Sequence, residues 1–178
     1  MVNRLRLISE RVRSNRWYVG ACGALLLVLS PALAFVHPFG NARLAHSNDG
    51  LMNTAQIDPG VSAVMQRSCQ NCHSERTEWP WYSHAAPMSW LIERDVRGGR
   101  SQWNMSRWEQ YSVEDREQTL SKIGSMVRNR KMPLPQYLFL HPEAKLSDAD
   151  VDLIYQWSRS ERKRMKSEEG QMASQADK

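Results

Sequence analysis

Cys69-Gln70-Asn71-Cys72-His73 sets two thiols three residues apart and an imidazole directly after the second. At this spacing each thiol can add to a vinyl group of one haem. The imidazole of His73 then stands where it can bind the iron from the proximal side. Three other chemistries use such a pair. A thioredoxin-like redox pair expects a βαβ pattern around the motif, and none is present. Structural zinc needs four ligands, whereas the chain offers Cys69, Cys72 and a few scattered histidines, with no second CxxC. A plain disulfide in an exported protein is the remaining rival. Covalent haem accounts for the histidine as well as the thiols, and a single motif implies a single haem.

An iron held by His73 takes a sixth ligand or keeps an open face. Lys131-Met132-Pro133-Leu134-Pro135 follows directly on a strongly periodic helical stretch. Pro133 cannot continue that helix, and it biases Met132 toward extended backbone. A thioether on such a loop can be presented to the haem face opposite His73, so Met132 is the expected second iron ligand. His141, followed by Pro142, is the alternative; His84 lies close after the motif on the same segment. Methionine is most often a core residue, and the chain has nine. The loop context separates Met132 from Met65, Met88, Met105 and Met126, which lie on helices or among aromatics. Trp79, Trp81, Tyr82 and Trp90 are candidates to wall the porphyrin, a role that competes with ordinary core packing. Arg100 and Trp103 are candidates for a haem propionate, with a surface position as the alternative for Arg100.

These groups must be positioned by helices. Asp58 and Pro59 are suited to open a short helix whose Val61, Val64 and Met65 share one face and which runs into Cys69. A second helix is expected over 89–96, stopped by Gly98-Gly99. Ser112 and Asp115 resemble a capping pair for a third helix carrying Leu120, Ile123 and Val127 at helical spacing. Ser147-Asp148-Ala149-Asp150 opens a fourth, with Val151, Ile154 and Trp157 inward. From Arg159 the sequence is charged, and a solvated helix end fraying into disorder is expected over 159–178. No repeat and no alternating strand pattern appears.

The charge distribution argues against nucleic acid as a partner. The chain carries a formal net charge of +5, but residues 1–34 hold five arginines against Glu10. The remainder is close to neutral. The arginines precede Trp17 to Val36, twenty residues without Asp, Glu, Lys or Arg. As a helix at ~1.5 Å per residue, this run matches a ~30 Å hydrocarbon core. Arginines on its N-terminal side predict a cytoplasmic N-terminus and an exported remainder. The expectation is an uncleaved single-pass anchor over 1–36, with cleavage after Ala34 as the alternative. Residues 37–57 read as a tether and 58–158 as the haem-binding domain. No phosphate-binding glycine loop, HExxH or GxSxG element is present, so hydrolytic chemistry is not expected.

One long constellation carries a family resemblance. It begins with Cys69-Gln70-Asn71-Cys72-His73-Ser74, Thr77 and Trp79-Pro80-Trp81-Tyr82-Ser83. Ala86-Pro87, Ser89-Trp90, Gly99-Arg100, Asn104-Met105-Ser106 and Trp108 continue it. Met132-Pro133, Tyr137, His141-Pro142, Ala144, Leu146-Ser147 and Trp157 complete it. Over roughly 58–158 the chain resembles the small haem-binding domain proteins, monohaem modules similar to c-type cytochromes. Met105 departs from that pattern, where an aromatic is expected. The resemblance implies covalent haem c, a mainly helical cytochrome c-like fold and an exported, often membrane-tethered location. The combined expectation is one-electron transfer at the outer, periplasmic face of the cytoplasmic membrane with redox proteins as partners, rather than an enzyme. Peroxidase-like activity or gas and redox sensing is the alternative if the iron has an open face.

Overall fold

The computed structural model describes residues 17–29, 36–44 and 52–176, without the side chains of 173 and 176. It is mainly helical, and no strand occurs among the described residues. Among the described residues the α-helices are α1 (17–29), α2 (Pro59–Ser68), α3 (Gln70–His73), α4 (Met88–Gln102), α5 (Val113–Arg128), α6 (Pro135–Leu140) and α7 (Asp148–Ala176). Short 3-10 segments occur at Trp81–His84, Met105–Gln110 and Pro142–Ala144. The chain divides into two compact units. One comprises Met1–Asn41 with Trp79–Arg94, the other Ala42–Glu78 with Asp95–Lys178.

The second unit contains the CxxCH motif and the main apolar core. Asp58 precedes Pro59 at the first position of α2, where the missing N–H costs nothing. Val61, Val64 and Met65 face inward from α2, Leu120, Ile123 and Val127 from α5, and Val151, Ile154 and Trp157 from α7. Trp103, Met105 and Trp108 join them from the segment after α4. Met105, where the family resemblance expects an aromatic, is fully buried. Helices α5 and α7 approach closely at Gly124. A Cβ there would meet the Ser158 side chain, with Tyr155 at 3.4 Å.

Asp58, expected to N-cap α2, makes no side-chain cap hydrogen bond, whereas the caps expected at Ser112 and Ser147 form. Ser112 Oγ accepts from the Asp115 N–H at 3.1 Å, and Ser147 Oγ accepts from the Asp150 N–H at 3.1 Å. Two other expectations are corrected. Helix α4 runs through Gly98-Gly99 to Gln102 instead of ending near Val96. Glycine costs a helix only about 1 kcal/mol relative to alanine, too little to stop one held by packing. The disorder expected over 159–178 is replaced by helix as far as Ala176. Glu161 and Met165 are buried, which anchors that stretch.

In the first unit, His37 Nδ1 meets both oxygens of the fully buried Glu93 at 2.9 Å. The Trp90 indole N–H donates to the Val36 carbonyl at 2.7 Å. Helix α1 exposes Trp17, Leu26, Leu27 and Val28, each by more than two thirds. No helix among the described residues is long and apolar enough to cross a membrane. Of the twenty-residue span expected over 17–36, residues 17–29 are helix. Residues 1–16 and 30–35, with the cleavage position Ala34, lie outside the described residues.

Candidate functional site

Cys69 ends α2, and Cys72 and His73 lie on the single turn α3. The His73 N–H donates to the Cys69 carbonyl at 3.0 Å, so one helical turn carries all three motif residues. Cys69 and Cys72 are free thiols. Burial pushes the Cys69 thiol up to about 12, with the neighbouring Cys72 adding to the rise. Burial pushes Cys72 up to about 11, with Asp95 adding to it. Both thiols are therefore protonated at neutral pH. That is the opposite of a redox CxxC, which works by a depressed thiol pKa.

His73 is buried and stacked on Trp103, ring centroids 4.5 Å apart. Its Nδ1 lies 3.2 Å from the Trp103 carbonyl oxygen. A carbonyl can only accept, so Nδ1 carries the proton and Nε2 holds the lone pair. Burial lowers the imidazole pKa, against smaller opposing effects from the Trp103 and Gly99 backbone. A neutral imidazole with a fixed tautomer is the form that binds a metal.

The segment after His73 is fastened at several points. Ser74 Oγ donates to the Gln70 carbonyl at 2.8 Å. Arg100 donates from Nε to the Ser74 carbonyl at 2.8 Å, from Nη1 to the Ala42 carbonyl at 2.6 Å and from Nη2 to Thr77 Oγ1 at 3.0 Å. Arg100 is half-buried rather than a surface residue, and its guanidinium donates to three protein acceptors. Buried Glu75 accepts from Arg107 Nε at 2.6 Å and Asn104 Nδ2 at 3.2 Å. Gly99 of α4 lies against the motif. A Cβ there would overlap the Cys72 carbonyl oxygen and stand 2.9 Å from its carbon. Neither the Arg100 clamp nor this close approach has a signal in the sequence beyond the Gly99-Arg100 pair itself.

Met132 is half-buried on the loop between α5 and α6, as expected. The loop departs from a Schellman ending of α5. The Lys131 N–H donates to the Met126 carbonyl, the Arg130 N–H to the Val127 carbonyl, and Arg130 takes the positive-φ position usual for glycine. Arg130 is kept there by its side chain, which donates to the Leu146 carbonyl at 2.7 Å and pairs with Asp148. His141, the alternative ligand, stacks on Tyr137 at 4.3 Å and pairs through Nδ1 with Glu143 at 3.0 Å. Trp79, Trp81, Tyr82 and Trp90 belong to the other unit, where Trp81 is 85% exposed. His84 is exposed in the same unit.

No cluster of three or more metal-binding His, Cys, Asp or Glu side chains occurs among the described residues. Two protonated thiols and one neutral, tautomer-fixed imidazole instead fit haem, whose iron brings four ligands of its own. The comparisons with known proteins agree. Cytochrome c peroxidase Ccp of Escherichia coli (strain K12) is 25% identical over 147 residues, covering 81% of this chain. This chain spans only 31% of that relative. No solved structure is a significant match. The family model described as a haem-binding domain matches residues 28–160, three quarters of the chain. The chain belongs to the haem-binding domain family.

Proposed function

We propose that this protein holds one haem c covalently and transfers single electrons. Cys69 and Cys72 would hold the porphyrin as thioethers, a linkage made from thiol and vinyl without any oxidant, and His73 and Met132 would ligate its iron. The bound haem supplies a ferric–ferrous couple, and His/Met ligation favours a higher potential than His/His ligation. His73 offers Nε2 while the Trp103 carbonyl orients the ring, and this fixed, neutral imidazole is the observation that carries the reading. The clamp from Arg100 to Ser74 and Thr77 holds the ring's supporting loop in place through both oxidation states. Little rearrangement between those states is what fast electron transfer needs.

The arginine-flanked apolar segment and the exposed apolar side chains of α1 support a position at the outer face of the cytoplasmic membrane. An N-terminal anchor there would keep the haem near redox partner proteins. The matched peroxidase favours a second reading, in which the iron keeps an open face and reacts with peroxide. Absorption spectra of the ferric and ferrous protein, made with c-type maturation and repeated after acid–acetone extraction, separate the readings. Extraction-resistant haem with a low-spin His/Met spectrum supports electron transfer. Resistant high-spin haem supports the peroxidase reading. A colourless protein alongside a mature control cytochrome defeats both.

A further inference from the structure

We propose that the hydrogen bond between Asn71 and Tyr137 braces the loop carrying Met132, making Asn71 and Tyr137 positioning residues for the sixth iron ligand. This rests on the reading of Met132 as that ligand. Asn71 lies between the two attachment cysteines, and its amide orientation is determined. The Glu78 N–H donates to Asn71 Oδ1 at 3.0 Å, so Oδ1 must face Glu78 and Nδ2 must face the Tyr137 hydroxyl, also at 3.0 Å. The Asn71 backbone carbonyl is fixed too, accepting from Thr77 Oγ1 at 2.7 Å. One side chain of the haem-attachment turn thereby reaches the helix that follows Met132 at once.

Helix α6 depends on such ties. It has six residues, no side-chain cap at Leu134 and no buried residue. Hydrophobic burial, which holds most helices of a domain, does little here. Polar contacts take over: Asn71 to Tyr137, and Gln136 Nε2 to Asp95 Oδ2 at 3.2 Å. The opposite end of the Met132 loop is set by the Schellman ending of α5 and the Arg130 side chain. Met132 therefore sits on a short strap pinned at both ends. Releasing the Tyr137 pin lets the strap lift more often and makes Met132 easier to displace from the iron.

Free imidazole, titrated into the haem-loaded ferric full chain, reads that displacement directly. Tyr137→Phe keeps the ring and its stack on His141 and removes one oxygen. It is expected to bind imidazole about five-fold more tightly than wild type, the loss of one ordinary hydrogen bond. Asn71→Ala should do the same or slightly more, and adding Tyr137→Phe to it should change nothing further. In a Met132→Ala background, Tyr137→Phe should have no effect, because no ligand remains to be displaced. Affinity within two-fold of wild type for Tyr137→Phe overturns the inference. So does an equal effect with Met132 absent, which would mean the hydroxyl acts by another route. Unchanged imidazole affinity on Met132→Ala alone instead defeats the reading of Met132 as ligand, and the brace falls with it.

Discussion

On the proposed reading Cys69 and Cys72 end as thioethers, which need no nucleophilic activation in the resting chain, and both are free thiols. Each has a pKa raised from 9.0, to about 12 and about 11. An acid whose folded pKa is raised supports the folded state below its unfolded pKa and withdraws that support as pH rises above it. The haem-free, reduced chain should therefore lose stability between about pH 9 and 11. Urea unfolding across that range measures the loss, and the Cys69→Ala/Cys72→Ala double variant should flatten it. The haem-attached protein should flatten it equally, because a thioether has no proton to lose. His73 has the mirror behaviour on the acid side. Its folded pKa is lowered from 6.5 by burial, so stability present above pH 6.5 is lost as pH falls. The two axial candidates separate at this scale as well. Met132→Ala should convert a low-spin spectrum to high-spin, while His141→Ala should leave the spin state unchanged, since His141 is engaged with Tyr137 and Glu143.

At the scale of elements, the two adjacent glycines of α4 give opposite expectations. Gly98 has open space around it, whereas a Cβ on Gly99 meets the Cys72 backbone. Gly98→Ala should raise stability by up to about 1 kcal/mol through helix propensity alone. Gly99→Ala should lower it by about 1–3 kcal/mol, because backbone cannot rotate out of the way. Haem incorporation should fall with Gly99→Ala and not with Gly98→Ala; thermal melts and pyridine haemochrome yields read both. This pair also marks what the sequence could tell. A Gly-Gly dipeptide reads as a stop because local propensity is visible in one dimension. Its real reason is a helix crossing close to a turn twenty-seven residues earlier, which only tertiary structure reveals. Local signals did carry over: Ser112 and Ser147 cap where expected, and Met132 lies on a loop before Pro133. The family match bears out haem, the cofactor that the motif pointed to. Arg100, Asn71 and Tyr137 could be singled out by type, but their partners could not, since the Arg100 bonds and the Asn71–Tyr137 bond join residues separated by 23 to 66 positions.

At the scale of the whole molecule, the C-terminal helix matters to the haem turn through the start of α2. Trp157 Nε1 donates to the Gln56 carbonyl at 2.8 Å, and the Gln56 N–H donates to Glu161 Oε1 at 3.1 Å. Gln56 lies just before Asp58 and Pro59, which open α2, and α2 runs into Cys69. Glu161 is nearly fully buried, and its charge is met by Arg164, which also donates to Glu168. Met165 closes the core beside them. A chain stopped after Arg159 keeps Trp157 but loses Glu161, Arg164 and Met165. It should be destabilised by about 2–4 kcal/mol, from one buried side chain and one backbone hydrogen bond lost. A chain stopped after Glu169 removes, among the described residues, only exposed side chains, and should unfold at the same urea concentration as the full chain. Haem yield should follow the same order, because fraying at Gln56 propagates along α2 toward Cys69. Equal urea midpoints for the two truncations would mean that α7 beyond Trp157 adds nothing, and that the entry to α2 is held by Val61, Val64 and Met65 alone.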